Sequence, residues 1–262
     1  MTLGSNLPRL VRIMERLRAD DGCPWDKAQT LATLRPFLIE ETYEVLDAME
    51  DDTPSEHCEE LGDLLFQIIF QSQIRQERDE FNIEDVVNAI SDKLERRHPH
   101  VFGGCTNLSR EDIRENWTRM KAQERREKGQ DQSAIAGIPR SLPGLLRADR
   151  LGRKASNVGF DWPTIEGVFE KIDEEMDEVK DAIATKNSDA VHHEVGDLLF
   201  AVVNLTRHLE VDPSAALQDA NDRFDARFRT VEELAQADGL SMENASSDAL
   251  EHLWEAAKDL LK

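Results

Sequence analysis

The sequence predicts an all-α protein made of two tandem helical bundles of one design. Three observations carry that expectation. Glu, Leu, Ala and Arg are favoured over Val, Tyr and Gly, a bias toward residues that lose little freedom in a helix. Apolar residues recur at three- and four-residue steps, and no alternating run of strand length competes. Finally, one acidic and apolar pattern occurs twice: Glu40-Glu41-Thr42-Tyr43-Glu44 with Glu60-Leu61-Gly62-Asp63, and Glu174-Glu175-Met176-Asp177-Glu178 with Glu194-Val195-Gly196-Asp197. Matching positions differ by 134 throughout, as Glu41 does from Glu175.

In chain order, Leu7, Leu10, Val11, Met14 and Leu17 mark an amphipathic helix over 7–19, broken at Gly22-Cys23-Pro24-Trp25-Asp26. A second helix is expected to end near Glu50, with Pro36 in its first turn or kinking it. Thr53-Pro54-Ser55-Glu56 reads as a capped start with Glu56 closing a capping box. The helix that follows is expected to bury Leu61, Leu64, Leu65, Ile68 and Ile69, with Phe66 and Phe70 on a second apolar face. Asn82 to Arg97 reads as a fourth helix and Ser109 opens another. Residues 129–141, rich in Gly, Gln, Ser and Pro, form the expected linker between domains 1–128 and 142–262. The second half repeats the plan: a helix from Leu142, a break at 159–163, a carboxylate helix over 164–184, a helix opened by Ser188, a long one over 213–237 and a last one over 247–261.

At 262 residues the chain is long enough for two domains of about 130 residues. Its formal net charge of −22 repels nucleic acid and anionic membrane, so neither is an expected partner. Cys23, Cys58 and Cys105 form no CxxC pair, which argues against a zinc ribbon or a disulfide framework. Met1 to Pro8 lacks the pattern of a signal peptide, and no stretch approaches the ~18 uninterrupted apolar residues of a membrane span. A soluble, cytoplasmic protein is expected.

Residues three apart share a helix face, so Glu41 stands beside Glu44, Glu60 beside Asp63, Glu175 beside Glu178 and Glu194 beside Asp197. The spacing from Glu44 to Glu60 equals that from Glu178 to Glu194, which suits two antiparallel helices joined by a short turn around Asp52-Thr53 in the first copy. Like charges about 4 Å apart repel by about 4 kcal/mol at an effective dielectric of about 20. A hard divalent cation resolves that conflict, and the expected ion is Mg2+, with Mn2+ possible. An ordinary solvated acidic face is the competing reading. It does not account for Asp63 and Asp197 lying beside long apolar runs, nor for the repeat of the whole spacing.

Lys93 and Arg97 share one helix face and correspond, at an offset of 130, to Arg223 and Arg227. Each pair is read either as a phosphate clamp or as ordinary ion pairing. Trp254 is read as a base-stacking platform or as a packed core residue, and Trp25 and Trp162 as packing anchors. His192 and His193 precede Glu194 and read as helix-start residues, because Mg2+ prefers oxygen; His98 and His100 receive no role.

With those residues placed, the chain resembles the MazG family of nucleoside triphosphate pyrophosphohydrolases. GCPWD at 22–26, EETYEVLDA at 40–48, ELGDLLFQ at 60–67 and KLERRHPHVF at 93–102 carry the likeness in the first half. The segments 138–162, 196–207 and NDRFDARF at 221–228 carry it in the second. The resemblance implies an all-α fold, a homodimer, and Mg2+-dependent hydrolysis of nucleoside and deoxynucleoside triphosphates to the monophosphate and pyrophosphate. It implies metal ligands Glu41, Glu44, Glu60 and Asp63 in one copy and Glu175, Glu178, Glu194 and Asp197 in the other. Glu174, Glu175 and Glu178 are the implied catalytic set, with Glu174 and Glu40 orienting ligands or water. Arg223, Arg227 and Trp254 fall at the family's nucleotide-contacting positions, although Arg223 stands where the family usually has Lys. Two other readings compete: a narrow dUTPase-like pyrophosphatase, and a non-enzymatic acidic scaffold that binds metal.

Overall fold

The structure, a computed structural model, describes residues 4–50, 53–103 and 109–262, and every regular element among them is helical. The chain divides into two compact units, Met1–Lys121 and Ala122–Lys262.

The first unit opens with α1 (Leu7–Arg18), followed by a short α2 (Pro24–Ala28) inside the segment read as a plain break. Proline at the first position of α2 needs no hydrogen-bonded N–H, so the sequence that ends α1 also starts a new turn. Gly22 permits the tight return, because a Cβ there would lie 2.3 Å from the Leu17 carbonyl oxygen. Next come α3 (Leu34–Glu50) and α4 (Pro54–Gln76). Pro36 sits in the first turn of α3. Pro54 at the first helical position opens α4, and the expected side-chain cap from Thr53 does not form. α5 (Ile83–Arg97) carries a true capping box: the Asn82 side chain accepts from the N–H groups of Glu84 and Asp85, and Asp85 accepts from the Asn82 N–H. α6 (Pro99–Phe102) is one turn, and α7 (Arg110–Glu127) runs across the division between the units. Met14, Leu34, Ile69, Phe70 and Ile74 form the core, flanked by Leu7, Leu10, Val11, Phe37 and Phe66.

In the second unit, segment 129–141 contributes the buried Ala136, whose carbonyl accepts from Lys154 Nζ and from Arg125 at 3.3 Å. α8 (Gly144–Ser156) starts two residues later than expected, after Pro143. Then follow α9 (Ile165–Thr185), α10 (Ser188–His208) capped by the Asn187 side chain, α11 (Pro213–Ala237) capped by Asp212, and α12 (Ser247–Leu260) capped by Ser246. Val231, Ala235, Leu253 and Ala257 hold α11 against α12, with Trp254 at the edge of the cluster. At the break before α9, Asp161 receives a bidentate pair from Arg207 and a contact from His208 Nε2 at 3.1 Å.

The expected burial of α4 needs correction. Gln67, Ile69, Phe70, Ser72 and Ile74 are buried, whereas Leu61, Leu65 and Ile68 are exposed. α10 does the same, burying Ala201, Val203 and Asn204 while Val195, Leu199 and Val202 face outward. A helix that is apolar on most sides buries only as many faces as it has neighbours. Among the described residues, no helix is long and apolar enough to cross a membrane. Cys23 and Cys58 are free thiols, and Cys105, Asp52 and the turn expected there lie outside the described residues.

Candidate functional site

The carboxylates owe their positions to a seven-residue stripe. On α9, Val168, Glu175 and Ala182 are the buried residues, so the side that enters the core carries a carboxylate at its centre. Seven residues are nearly two helical turns, which returns each member of the stripe to one side. In α3 the same register holds Leu34, Glu41 and Ala48, with the two apolar members buried and Glu41 half-buried. α9 packs along α10 and α3 along α4, and those packings face the carboxylates of each pair of helices toward one another.

In the second copy, Glu175, Glu178 and Glu194 each offer an oxygen within 4.8 Å of the others. The Glu175 side chain is 6% exposed; one of its oxygens meets Lys171 Nζ at 2.7 Å, and Oε2 is buried with no hydrogen-bond partner. Lys171 also reaches Glu174 at 3.0 Å, and the two carboxylates hold its proton tightly. Glu178 keeps its proton to higher pH than an ordinary carboxyl, through lost hydration and then the charges of Glu175 and Glu194. Asp197 joins the group through Glu194 and His193: His193 Nδ1 lies 3.1 Å from Asp197 and 3.4 Å from Glu194. His193 is the sixth residue of α10, well past its start, so its reading as a helix-start residue does not hold.

In the first copy, Glu41, Glu60 and Asp63 come together within the same 4.8 Å limit. Glu44 stands near enough for its charge to act on Glu41 and Glu60. Burial, then the charges of Asp63 and Glu44, raise the proton affinity of Glu41; lost hydration, then Glu44 and Asp63, raise that of Glu60. Where the second copy has Lys171, the first has Phe37, and Glu41 is met instead by a long hydrogen bond from Gln67 Nε2 at 3.5 Å. Gln67 Oε1 is a further buried oxygen without a partner.

Arg223 and Arg227 lie on α11 and make no ion pair among the described residues; Arg223 is exposed and Arg227 half-buried. Between them Phe224 stacks on Phe228 and lies 5.4 Å from the ring of Trp254. These three rings, with Met242 and Leu250, line an open hollow of about 390 Å³. Trp254 is half-buried at the rim of that hollow, which joins its two alternative readings: one side packs and the other is available. Lys93 is exposed on α5, and Arg97 is half-buried with its carbonyl accepting from Trp117 Nε1. Trp25 is 55% exposed beside Phe37, so it anchors less than expected, whereas Trp162 is half-buried and packs close to Gly167.

Sequence reasoning passed over Lys171, Gln67 and Phe224, and gave His193 no part in the site. Helical spacing held the signal for two of them: Lys171 stands three and four residues before Glu174 and Glu175, and His193 four before Asp197.

Comparison with known proteins decides the family. The model of the MazG nucleotide pyrophosphohydrolase domain matches twice, over residues 29–102 and 164–232. The chain belongs to the MazG family. Each MazG match contains one complete carboxylate set, Glu41 to Asp63 in the first and Glu175 to Asp197 in the second. Over 97% of both chains it is 46% identical to the nucleoside triphosphate pyrophosphohydrolase of Escherichia coli. A nucleoside triphosphate pyrophosphohydrolase of Thermotoga maritima is also 46% identical, over 95% of this chain and 94% of its own. The Bacillus subtilis protein YabN is 38% identical over 94% of this chain and 50% of its own length. A MazG protein is a hydrolase, which sets aside the non-enzymatic acidic scaffold.

Proposed function

We propose that this MazG protein hydrolyses nucleoside and deoxynucleoside triphosphates to the monophosphate and pyrophosphate, using a divalent cation, Mg2+ or Mn2+, in the second carboxylate cage. The observation that carries the reading is Glu175: a nearly buried carboxylate with one oxygen on Lys171 and the other without a partner. A buried charge left half-compensated is costly, and a hard cation is the ligand that matches an all-oxygen set around it. Glu175, Glu178, Glu194 and Asp197 would hold that ion, as Glu41, Glu44, Glu60 and Asp63 would in the first cage. Bound there, the cation would supply positive charge for the oxygens of the triphosphate.

The chain's own groups supply the rest. Water attacks the α-phosphorus, its oxygen forms the new P–O bond, and the α–β anhydride bond breaks with its electron pair leaving on pyrophosphate. Glu174 or Glu178 takes the proton from that water. Glu174 is held by Lys171, and Glu178 lies with Glu175 and Glu194 in the cage. Unpaired Arg223 and Arg227 neutralise the phosphates in a protein whose overall charge opposes them, and the hollow beside Trp254 and Phe224 receives the base by stacking. Lys93 and Arg97 are the corresponding clamp of the first copy.

The protein is further proposed to act as a homodimer without nucleic acid or membrane partners, in the cytoplasm. Leu61, Leu65 and Ile68 on α4 and Val195, Leu199 and Val202 on α10 are the apolar faces left uncovered in the single chain, and a second copy would cover them. Light scattering on purified protein tests this.

The decisive experiment is product analysis by mass spectrometry with ATP, dATP and dUTP in turn, with and without EDTA. Monophosphate and pyrophosphate from all three, abolished by EDTA, are expected. Orthophosphate as first product would sink the α–β cleavage, and turnover of dUTP alone would replace the broad specificity with a narrow one.

A further inference from the structure

We infer that His193 is a nitrogen donor to the second carboxylate cage, and that it shifts that cage's preference from Mg2+ toward Mn2+ and Co2+ in a way the all-oxygen first cage cannot match. This rests on the reading of the carboxylates as a cation cage and adds to it a ligand of different chemistry.

The geometry begins on α10. His193, Glu194 and Asp197 offer Nδ1 and two carboxylate oxygens within 4.8 Å of one another, with Nδ1 at 3.1 Å from Asp197 and 3.4 Å from Glu194. Glu194 belongs at the same time to the group it forms with Glu175 and Glu178. The imidazole is therefore one shared carboxylate away from the buried end of the cage. That end bears the independent sign of a missing ligand: Glu175 Oε2, buried and without a partner, on a side chain 6% exposed.

The first copy is an internal control. Counting back 134 residues, the position of His193 is held by Glu59, and the donors gathered there, Glu41, Glu60 and Asp63, are all oxygen. Nitrogen and oxygen donors select differently: Mg2+ demands hard oxygen and keeps its waters, whereas imidazole suits later first-row ions, whose affinity rises from Mn2+ through Co2+. The plain alternative is that His193, with its side chain 72% exposed, makes only a weak i,i+4 surface pair with Asp197. Such a pair gives a bound metal no nitrogen neighbour.

The test uses the full chain in a Glu41→Gln, Glu60→Gln background, which confines cation binding to the second cage. Pulsed EPR of bound Mn2+ is expected to show nitrogen-14 modulation from a coordinated imidazole, absent in His193→Glu and in His193→Gln. The ratio of Mn2+ to Mg2+ affinity by calorimetry is expected to fall about tenfold in both variants, on the scale of a lost group at a metal site. In the reverse background, Glu175→Gln with Glu194→Gln, Glu59→His is expected to bring the modulation to the first cage. Bound Mn2+ without nitrogen modulation, together with an affinity ratio unchanged by His193→Glu, would overturn the inference and leave the cage standing. No bound Mn2+ at all would overturn the cage reading and this inference with it. His193 is exposed on a helix where Glu and Gln are good helix formers, so both variants retain the fold.

Discussion

Lys171 Nζ lies 2.7 Å from one oxygen of Glu175, and the other oxygen of the same carboxylate is buried without a partner. The first copy has no such lysine, because Phe37 fills the matching position and Gln67 provides only a long amide contact to Glu41. Two cages built on one backbone register therefore balance their buried charge in different ways.

Removing Lys171 tests that balance. Lys171→Met is expected to destabilise the metal-free protein by about 1–3 kcal/mol, below the figure for a fully buried pair because the lysine is 34% exposed. Saturating Mg2+ is expected to recover more stability in the variant than in the wild type. Urea denaturation with EDTA and with Mg2+ checks this; an equal loss in both would separate Lys171 from the cage.

Glu175→Gln keeps the shape of the side chain and removes its charge. Its kcat/KM is expected to fall by about a hundredfold or more, the scale of a lost electrostatic contact in a transition state. Glu41→Gln is expected to cost far less, since catalysis is assigned to the second copy. Full activity in Glu175→Gln would reverse the assignment.

Proton linkage gives a third prediction. A carboxyl whose folded-state pKa is raised contributes stability that is present below the unfolded value and lost as pH rises through the folded one. Glu178 is such a group, raised from 4.5 by lost hydration and by Glu175 and Glu194. In EDTA, Glu178→Gln is therefore expected to gain stability over the wild type as pH climbs above 4.5. Parallel denaturation curves across that range check the sign, and a difference that does not change with pH would refute it.

Asp161 runs the opposite way. Hydrogen bonds from Arg207 hold its carboxyl well below the usual range, so its contribution is present above the unfolded value of 3.8 and is lost as pH falls below it toward the folded one. Asp161→Asn is expected to cost about 1–2 kcal/mol at neutral pH, since the pair is partly solvated. The difference is expected to shrink in acid below that value.

Phe224 is 57% exposed and stacked on Phe228, so its loss leaves the core intact. Phe224→Ala is expected to raise KM for the triphosphate severalfold with little change in kcat, as removal of a stacking surface does. An equal fall in kcat would place the ring in the chemistry instead.

Much of this was legible from residue order. The repeat, the helices and the side-by-side placement of Glu60 with Asp63 and of Glu175 with Glu178 follow from three- and four-residue spacing and from a pattern shifted by 134, whereas the meeting of Glu41 with Glu60 and of Glu175 with Glu194 needs the packing of α3 on α4 and of α9 on α10. The side-chain cap expected at Thr53 does not form, because proline at the first helical position suffices to open that helix. Burial was less legible: Leu61, Leu65 and Ile68 read as core and are exposed.

What the sequence by itself determined is everything set within about two helical turns: the all-α class, the duplicated unit and which carboxylates share a face. Tertiary structure alone decided how deep each carboxylate lies and what meets it. Burial and partnering depend on which face a neighbouring helix covers, and that choice is made between α9 and α10, not within either one. So Glu175 is enclosed beside Lys171 while its sequence twin Glu41 is only half-buried beside Gln67.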